Sequence, residues 1–309
     1  MAKNGIVVVG SSNTDMIVQM ARLPKLGETI LGGVFSVAAG GKGANQAVGA
    51  ARAGARVSFV ARVGRDMFGA QAVASLAKDG INVRYISKDR VAPSGVALIF
   101  VGKNGENSIA VAPGANGRLS PSDIKKARKA FAAASTLVVQ LETPLATVLA
   151  AARLATEAGL RVILNPAPAR ALPDKLFKHV SILTPNETET ELLTGIKVDN
   201  TTGAAEAAGR LMAKGVQTVI ITLGRRGAFV ATGPGMRLVP GFKVRPVDTT
   251  AAGDVFNGAL AAALDENQPL LEAVRFANAA AAISVTRLGA QPSAPNRKEI
   301  DSFLATRLH

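Results

Sequence analysis

The sequence predicts an α/β fold, with a doubly wound, mostly parallel sheet flanked by helices and a small β-sheet lid. From about residue 130 onward, short apolar runs alternate with helical patterns; the runs are Leu137–Leu141, Arg161–Leu164, Ser181–Leu183 and Thr218–Thr222. Such runs, often β-branched, are typical of strands buried on both faces of a parallel sheet. The alternation therefore predicts crossover helices on both faces.

Length and composition predict one domain over residues 1–309. A chain of 309 residues with 48% hydrophobic content can bury one large core with a smaller appendage. Residues 1–5 lead directly into the first predicted strand, Ile6–Val9, without the apolar segment of a signal peptide. No apolar run is long enough to cross a bilayer. We therefore expect a cytoplasmic protein with no membrane partner.

Two regions interrupt the alternation, at about residues 14–38 and 94–112. Both consist of short strand-like runs joined by Gly and Pro turns, without an intervening helix. Val96–Val101 and Ser108–Val111, joined through Gly102–Gly105, predict a hairpin. Together these pieces predict a small sheet that projects from the core as a lid over a site at the C-terminal ends of the core strands.

The composition excludes several kinds of chemistry. Because the chain has no Cys, it can form neither disulfides nor thiolate zinc sites, and it has no Cys nucleophile. Its two His residues are His179, expected at the surface, and the terminal His309, so a His-centred triad or a multi-His metal site is not expected. Acid–base chemistry must therefore be carried out by carboxylates.

The net charge of +14 is spread along the chain from Lys3 to Arg307. It fits either a basic, solvated surface or a field that attracts polyphosphate substrates. A nucleic-acid partner is not expected, because aromatic residues make up only 4% and no nucleic-acid-binding motif accompanies the charge.

The most informative segment is Val247–Gly258, followed by the apolar helical run Ala259–Leu264. Its small residues place the backbone amides of Ala251, Ala252 and Gly253 near a helix N-terminus, where unpaired amides and the helix dipole form an anion site. Asp254 is placed to accept a proton from an attacking hydroxyl. Taken alone, Asp254 would more often simply open the helix, since Asp is favoured in the first turn, but the whole twelve-residue segment favours the site.

A second Gly-rich segment, Ala39–Ala47, opens another apolar helix that runs to about Ala53. Its adjacent glycines let a polar ligand approach the backbone, and Lys42 and Asn45 supply donors suited to sugar hydroxyls. No Gly-Lys-Ser/Thr spacing makes it a Walker loop, and Gln46 occupies the third glycine position of a dinucleotide fingerprint. A glycine turn without a ligand is the alternative.

Other polar residues recur where predicted strands end. These candidates are Asn13, Asp15, Glu142, Asn186, Glu189 and the loop Thr222–Gly227. Each could equally be a turn residue or a helix cap. Their recurrence at strand C-termini favours a shared ligand crevice.

The two Gly-rich segments resemble the signatures of the ribokinase-like (PfkB) family of carbohydrate kinases. These signatures are Gly-Gly-Lys-Gly-Ala-Asn-Gln at Gly40–Gln46 and Asp-Thr-Thr-Ala-Ala-Gly-Asp at Asp248–Asp254. Further matches lie at Gly10–Asp15, Asn165–Ala169, Thr184–Glu187 and Gly289–Ser293. The resemblance therefore covers essentially the whole chain, in order.

The resemblance implies ATP-dependent phosphorylation of D-ribose at the 5-hydroxyl, with Mg²⁺ accompanying ATP. It implies Asp254 as the general base and an anion hole formed by Ala251, Ala252 and Gly253. The residues implied to bind the sugar are Asn13, Asp15, Gly41, Lys42, Gly43, Asn45, Glu142 and Asp254. Those implied to contact ATP are Asn186, Glu189, Thr222, Gly224, Gly227, Gly253 and Asn278.

The same resemblance implies a monovalent cation, normally K⁺, and a homodimer formed through the lid. The cation loop would comprise Asp248, Thr250, Ser284, Arg287, Gly289 and Ser293. Three departures from the usual family pattern are the Arg225–Arg226 pair, Thr250 and Asn278. The alternatives are a kinase for 2-deoxyribose, fructose, adenosine or another nucleoside, and a non-catalytic sugar- or nucleotide-binding regulator.

Overall fold

The computed structural model describes residues 4–103, 106–233 and 235–307. Its strands are β1 Ile6–Val9, β2 Asn13–Met20, β3 Val34–Gly40, β4 Val57–Gly64, β5 Ile86–Asp89, β6 Gly95–Gly102, β7 Asn107–Ala112, β8 Thr136–Val139, β9 Arg161–Leu164, β10 Ile182–Leu183, β11 Thr218–Thr222, β12 Gly227–Thr232 and β13 Gly235–Pro240. Its helices are α1 Lys42–Arg52, α2 Met67–Lys78, α3 Pro121–Lys126, α4 Arg128–Ala133, α5 Leu145–Glu157, α6 Asp174–Phe177, α7 Glu187–Thr194, α8 Thr201–Ala213, α9 Ala252–Asp265, α10 Leu270–Ser284 and α11 Arg297–Ala305.

The core is one sheet with the strand order β13-β12-β11-β10-β9-β8-β1-β4-β5. Neighbouring strands from β5 across to β11 are parallel, whereas β12 and β13 are antiparallel additions at one edge. β1 lies between β4 and β8, with Val8 in register with Phe59 on one side and Val138 on the other. The predicted mostly parallel sheet is confirmed.

Helices cover both faces of the sheet, and the side chains of β1 alternate between them. Ile6 and Val8 join the core that contains α1, α9 and α10, whereas Val7 and Val9 join the core that contains α5 and α8. Because β1 is buried on both faces, its sequence is a continuous Ile-Val-Val-Val run and not an apolar–polar alternation.

A separate sheet has the order β3-β2-β6-β7. β2 pairs with β3 in antiparallel fashion and with β6 in parallel, and β6 and β7 form the predicted hairpin. The predicted hairpin turn at residues 104 and 105 lies outside the described residues. Large apolar side chains of this lid are exposed; they are Val34, Phe35, Val37, Leu98, Ile109 and Val111.

Some predicted boundaries move by one or two residues. β8 ends at Val139 and not at Leu141, and β10 begins at Ile182 and not at Ser181. α5 begins at Leu145, because Pro144 has an extended backbone (φ −57°, ψ 134°) and serves as the N-cap. The short segments that follow the strands are the ones that carry polar side chains to the site.

Candidate functional site

Two helices that are far apart in the sequence, α1 and α9, lie in close backbone contact. A Cβ added at Gly258 of α9 would lie 2.6 Å from the backbone nitrogen of Ala50 and from the carbonyl oxygen of Gln46, both on α1. Only glycine permits so close a contact, since real Cβ atoms do not approach backbone atoms within 3.0 Å. The contact brings the first turn of α1 to the first turn of α9.

Asp254, in the first turn of α9, is the group that this contact positions. Its side chain is buried, and one carboxylate oxygen accepts a hydrogen bond from Asn45 Nδ2 at 3.0 Å while the other accepts from Gln46 Nε2 at 2.9 Å. Burial raises the pKa of Asp254, while Lys42 and the two amides act in the opposite direction. A buried carboxylate with a raised pKa is suited to accept a proton.

The residues before Asp254 hold the chain in a strained conformation. Ala251, the N-cap of α9, has φ 59° and ψ 11°, a left-handed conformation that is uncommon for a residue with a Cβ, and no side chain caps the helix. The Ala252 amide donates to the Thr249 carbonyl at 3.3 Å. In the described part of the chain the amides of Ala251, Gly253 and Asp254 have no acceptor, so they are open donors at the N-terminus of α9.

Glu142, in the loop after β8, contacts the start of α1. Its Oε2 accepts a hydrogen bond from the Ser11 hydroxyl at 2.5 Å and from the Lys42 amide at 3.0 Å. This arrangement links the loop after β8 to the loop after β1 and to the start of α1. Ser11 was not predicted as a site residue, although it lies within the Gly10–Asp15 motif.

Asp15 is a second carboxylate close to this group. Burial, together with the charges of Glu142 and Asp254, raises its pKa to about 6. A Cβ at Gly40 would lie 2.2 Å from Asp15 Oδ2, so glycine at this position makes room for the carboxylate. For Lys42, burial lowers the pKa, but Asp254, Glu142 and Glu189 outweigh it and the pKa is raised. Lys42 therefore remains an ammonium among carboxylates.

Two Asn side chains, Asn13 and Asn45, were also predicted for this site. Asn13 Oδ1 accepts from Asn116 Nδ2 at 2.7 Å, and Asn116 also accepts from the Ser12 amide at 2.9 Å. Asn45 Oδ1 is buried and has no hydrogen-bond partner in the described part of the chain. Asn116 was not predicted as a site residue. The only sequence feature that marks it is its place in the turn-like segment Pro113–Gly117 after the predicted hairpin.

Gly41 and Gly43 allow the start of α1 to lie against the loop after β1. Gly41 has φ 89°, and a Cβ there would be 2.7 Å from the Asn13 nitrogen. A Cβ at Gly43 would be 2.6 Å from the Ser11 nitrogen. Side chains at either position would separate the two segments.

The residues predicted for ATP lie at the ends of β10 and β11. Asn186 and Glu189 form the capping box of α7, with the Glu189 amide donating to Asn186 Oδ1 at 2.7 Å and the Asn186 amide donating to Glu189 Oε2 at 2.9 Å. Asn186 also forms a β-bridge to Thr222. The capping alternative that the sequence left open is therefore real for both residues, and they remain beside the crevice.

The loop after Thr222 turns through two glycines in left-handed or related conformations, Gly224 at φ 54° and Gly227 at φ 100°. Arg226 pairs with Glu187 and so stabilises the loop. Arg225 is exposed, and no partner for its side chain occurs among residues 4–103, 106–233 and 235–307.

Asn278 of α10 is buried, and its Nδ2 donates to the carbonyls of Val239 and Pro240, both at 3.2 Å. The side chain thus holds the end of β13 against α10.

Asp248 joins the two segments predicted to form a cation site. Its Oδ1 accepts from the Thr250 amide at 2.9 Å and its Oδ2 from the Gly289 amide at 2.8 Å. The Ser284 and Ser293 hydroxyls donate to backbone carbonyls at 2.9 Å and 2.7 Å, and Arg287 pairs with Glu299. Arg287 could therefore offer an ion only its backbone oxygen.

The structure thus brings together a group around Asp254 and a second group around Asp248. The first comprises Asp15, Lys42, Asn45, Glu142 and Glu189, and the second comprises Thr250 and Gly289. No cluster of three or more His, Cys, Asp or Glu side chains able to hold a metal occurs in the described ranges. Nor does any helix in those ranges have the length and apolarity to span a bilayer.

A buried carboxylate next to free amides at a helix N-terminus, facing further carboxylates and amides, defines a small-molecule phosphotransferase of the ribokinase-like fold. The family model described as "pfkB family carbohydrate kinase" matches residues 3–297. The chain belongs to the pfkB family of carbohydrate kinases.

The relatives are similar over nearly their full lengths. A ribokinase of Haemophilus influenzae is 46% identical, covering 97% of this chain and 98% of the relative. A deoxyribokinase of Salmonella typhi is 40% identical, covering 97% and 98%. The structure of an Arabidopsis thaliana ribokinase complexed with ribose and ATP matches with a TM-score of 0.91 at 34% identity, covering 98% of this chain and 99% of that one.

Proposed function

We propose that this enzyme transfers the γ-phosphoryl group of ATP to the 5-hydroxyl of D-ribose, producing D-ribose 5-phosphate. The observation that carries the proposal is the buried Asp254 carboxylate, held by two amides beside the open amides of Gly253 and of its own backbone. Ribokinase relatives at up to 46% identity support the choice of sugar.

The sugar would lie between the loop after β1, the start of α1 and Glu142. Its hydroxyls would contact Asn13, Asp15, Gly41, Lys42, Gly43, Asn45 and Glu142. The unpartnered Asn45 Oδ1 supports this placement, because a buried acceptor without a donor is costly and a sugar hydroxyl would satisfy it. Ionised Asp15 and Glu142 accept hydrogen bonds from hydroxyls in the same way.

In the reaction, Asp254 accepts the proton of the attacking hydroxyl. Its two amide partners stabilise the ionised carboxylate and fix its direction. As phosphoryl transfer proceeds, negative charge spreads over the phosphoryl oxygens, and the preorganised amides around Gly253 stabilise it. The Lys42 ammonium, which the surrounding carboxylates keep protonated, adds a positive charge on the same side.

ATP would lie along the ends of β10 and β11. The contacts would come from Asn186, Glu189, Thr222, Gly224, Gly227 and Gly253, with Asn278 supporting the edge of the crevice. Bound Mg²⁺ would neutralise the nucleotide phosphates. The absence of a carboxylate cluster from the described ranges fits an ion held mainly by phosphates and water, with Glu189 near it.

A monovalent cation, normally K⁺, would bind where Asp248 joins the two loops. The donor set fits a hard ion, since it comprises a carboxylate, backbone carbonyls and the hydroxyl oxygens of Ser284 and Ser293. Such an ion would supply a fixed positive charge that orders the loop. Asp248 lies only three residues before the strained Ala251, so order in this loop bears directly on the anion site.

We further propose a cytoplasmic homodimer formed through the lid, with no nucleic-acid partner. By strand register, Phe35 and Val37 on β3 lie on the same face of the lid as Leu98 on β6, and all three are 46–61% exposed. An exposed apolar sheet face of this kind favours association with a second copy.

A second candidate substrate is 2-deoxyribose, because a deoxyribokinase is 40% identical over nearly the whole chain. ATP turnover on ribose, 2-deoxyribose, fructose and adenosine separates the candidates. We expect the highest kcat/KM with ribose. Preference for another acceptor would reassign the sugar, and no turnover with any of them would favour the non-catalytic regulator.

A further inference from the structure

Gln46 is not among the residues proposed to contact the sugar or ATP, although it is fully buried and is one of the two amide partners of Asp254. Its Nε2 donates both to Asp254 Oδ1 at 2.9 Å and to Asn165 Oδ1 at 3.1 Å. Its Oε1 accepts from Gln140 Nε2 at 2.6 Å. All the hydrogen-bonding groups of this amide are therefore engaged, one of them with the proposed base.

The contact with Gln140 determines which way the Gln46 amide points. If Gln46 rotated by half a turn, its oxygen would face the Asp254 carboxylate and its NH₂ would face that of Gln140, and both contacts would be repulsive. Gln140 makes its donation although its own Oε1 is buried without a partner in the described residues. Gly10 accommodates this amide, because a Cβ at that position would lie 2.2 Å from Gln140 Oε1.

The chain of hydrogen bonds continues to the anion site. Asn165 Nδ2 donates to the Thr184 carbonyl at 3.1 Å, and the Thr184 hydroxyl donates to Asn257 Oδ1 at 2.7 Å. Asn257 Nδ2 then donates to the Gly253 carbonyl at 2.8 Å. The series thus begins at the carboxylate of Asp254 and ends on the residue before it.

We define this set as the amide relay; its members are Gln46, Gln140, Asn165, Thr184 and Asn257. Each is no more than 6% exposed. Gln140, Asn165 and Thr184 are the first residues after β8, β9 and β10, so three adjacent parallel strands aim them at the same point. Within the described residues, Gln140 Oε1 is the one buried polar atom of this set that lacks a partner, and a buried network whose other groups are all hydrogen-bonded is rigid.

We propose that the amide relay positions the base, with Gln46 as the residue through which it acts on Asp254. The inference rests on the proposed role of Asp254. Gln46 is a positioning residue: it holds the carboxylate in its ionised form and directs it toward the sugar, while the distal members hold the Gly253 backbone. The other charged groups acting on Asp254 are Lys42 and Glu142.

The test replaces Gln46 with Met, which is similar in shape and cannot donate. We expect kcat for ribose to fall about tenfold to a hundredfold while the ribose Kd changes little, because the base is misplaced and not the sugar. The acid limb of the kcat–pH profile should move up by roughly one to two pH units, the size of one hydrogen bond to a charged group. Gln71→Met, at an exposed position of α2, is the matched control and should leave both unchanged.

Gln140→Leu is the second variant, and it decides the matter if Gln46→Met does not fold. This variant leaves the Gln46–Asp254 contact in place but removes the group that orients Gln46. We therefore expect a smaller fall in kcat and a smaller upward shift of the acid limb than in Gln46→Met. Folded variants with normal kcat and an unmoved acid limb would overturn the relay. Asp254→Asn separates the two proposals: near-normal turnover in that variant refutes the base itself, whereas an inactive Asp254→Asn beside normal Gln46 and Gln140 variants refutes the relay alone.

Discussion

Asp254→Asn is the substitution that most directly tests the mechanism, and the structure separates its effect on stability from its effect on catalysis. An Asn side chain keeps one acceptor oxygen but presents its NH₂ to one of the two donors, Asn45 Nδ2 or Gln46 Nε2. The lost hydrogen bond costs about 1–3 kcal/mol. Removal of the buried charge should instead stabilise the folded protein, because burial disfavours the ionised carboxylate and is the largest influence on the pKa of Asp254. We expect the free energy of unfolding to change by less than about 2 kcal/mol.

Activity should change much more. Loss of the proton acceptor removes a factor of roughly 10²–10⁴ in kcat, which corresponds to about 3–5 kcal/mol of transition-state stabilisation. The assay is steady-state ATP turnover with ribose, combined with calorimetric binding of ribose and thermal unfolding. Ribose and ATP should still bind.

Asp265→Asn is the matched control, since Asp265 is a buried carboxylate at the other end of α9, about 16 Å along the helix. It accepts the Gly5 amide at 2.9 Å and the Ser135 hydroxyl. Its loss should lower stability by about 1–3 kcal/mol and leave kcat near normal. Equal loss of activity in both variants, or near-normal kcat in Asp254→Asn, would refute the assignment of the base.

Four further predictions concern pH, the cation and the lid. The ribose KM should rise as the pH falls through about 6, because protonated Asp15 no longer accepts two hydroxyl donors; a KM that is flat with pH in wild type, or an equal rise in Asp15→Asn, would contradict this. Because the pKa of Asp15 is raised on folding, the ionised carboxylate destabilises the folded protein above pH 6. The Asp15→Asn variant should therefore have the larger free energy of unfolding at neutral pH. In denaturant unfolding, the difference from wild type should vanish below the unfolded pKa of 3.8. Turnover should be faster in K⁺ than in a bulky organic cation, and Asp248→Asn should lose this dependence; equal wild-type rates in both buffers would remove the cation site. Val37→Lys in the lid should shift sedimentation toward the monomer, whereas Met236→Lys, equally exposed on β13, should not. A monomeric wild type would rule out the dimer.

Several features of the fold follow from local sequence. Ile6–Val9 and Thr218–Thr222 are strands with the predicted ends, because an unbroken β-branched run is stable only where both faces are covered. The β6–β7 hairpin was likewise predicted from two apolar runs around a Gly-rich turn. Such signals act over a few residues.

The sequence could not show whether a polar residue that fits a local cap also lies at the candidate site. Asn186 and Glu189 form a capping box, a motif that a short-range pattern fully explains, and they also lie beside Thr222. Asn116 carries almost no signal because its partner, Asn13, lies 103 residues away. The sequence predicted the amides of Ala251, Ala252 and Gly253 as the anion hole, whereas the Ala252 amide bonds to the Thr249 carbonyl. Within the described residues, the amides of Ala251, Gly253 and Asp254 have no acceptor.

The sequence by itself determined the alternating strands and helices, the carboxylate chemistry left by the lack of Cys and usable His, and the two glycine-rich signatures. Only the tertiary structure decided that these signatures meet. Gly258 lets α9 lie against the backbone of α1, so that Asn45 and Gln46 reach Asp254 across more than two hundred residues of chain. A hydrogen bond depends on distances of a few tenths of an ångström, and such distances are set by the packing of helices on the sheet, which no local pattern specifies.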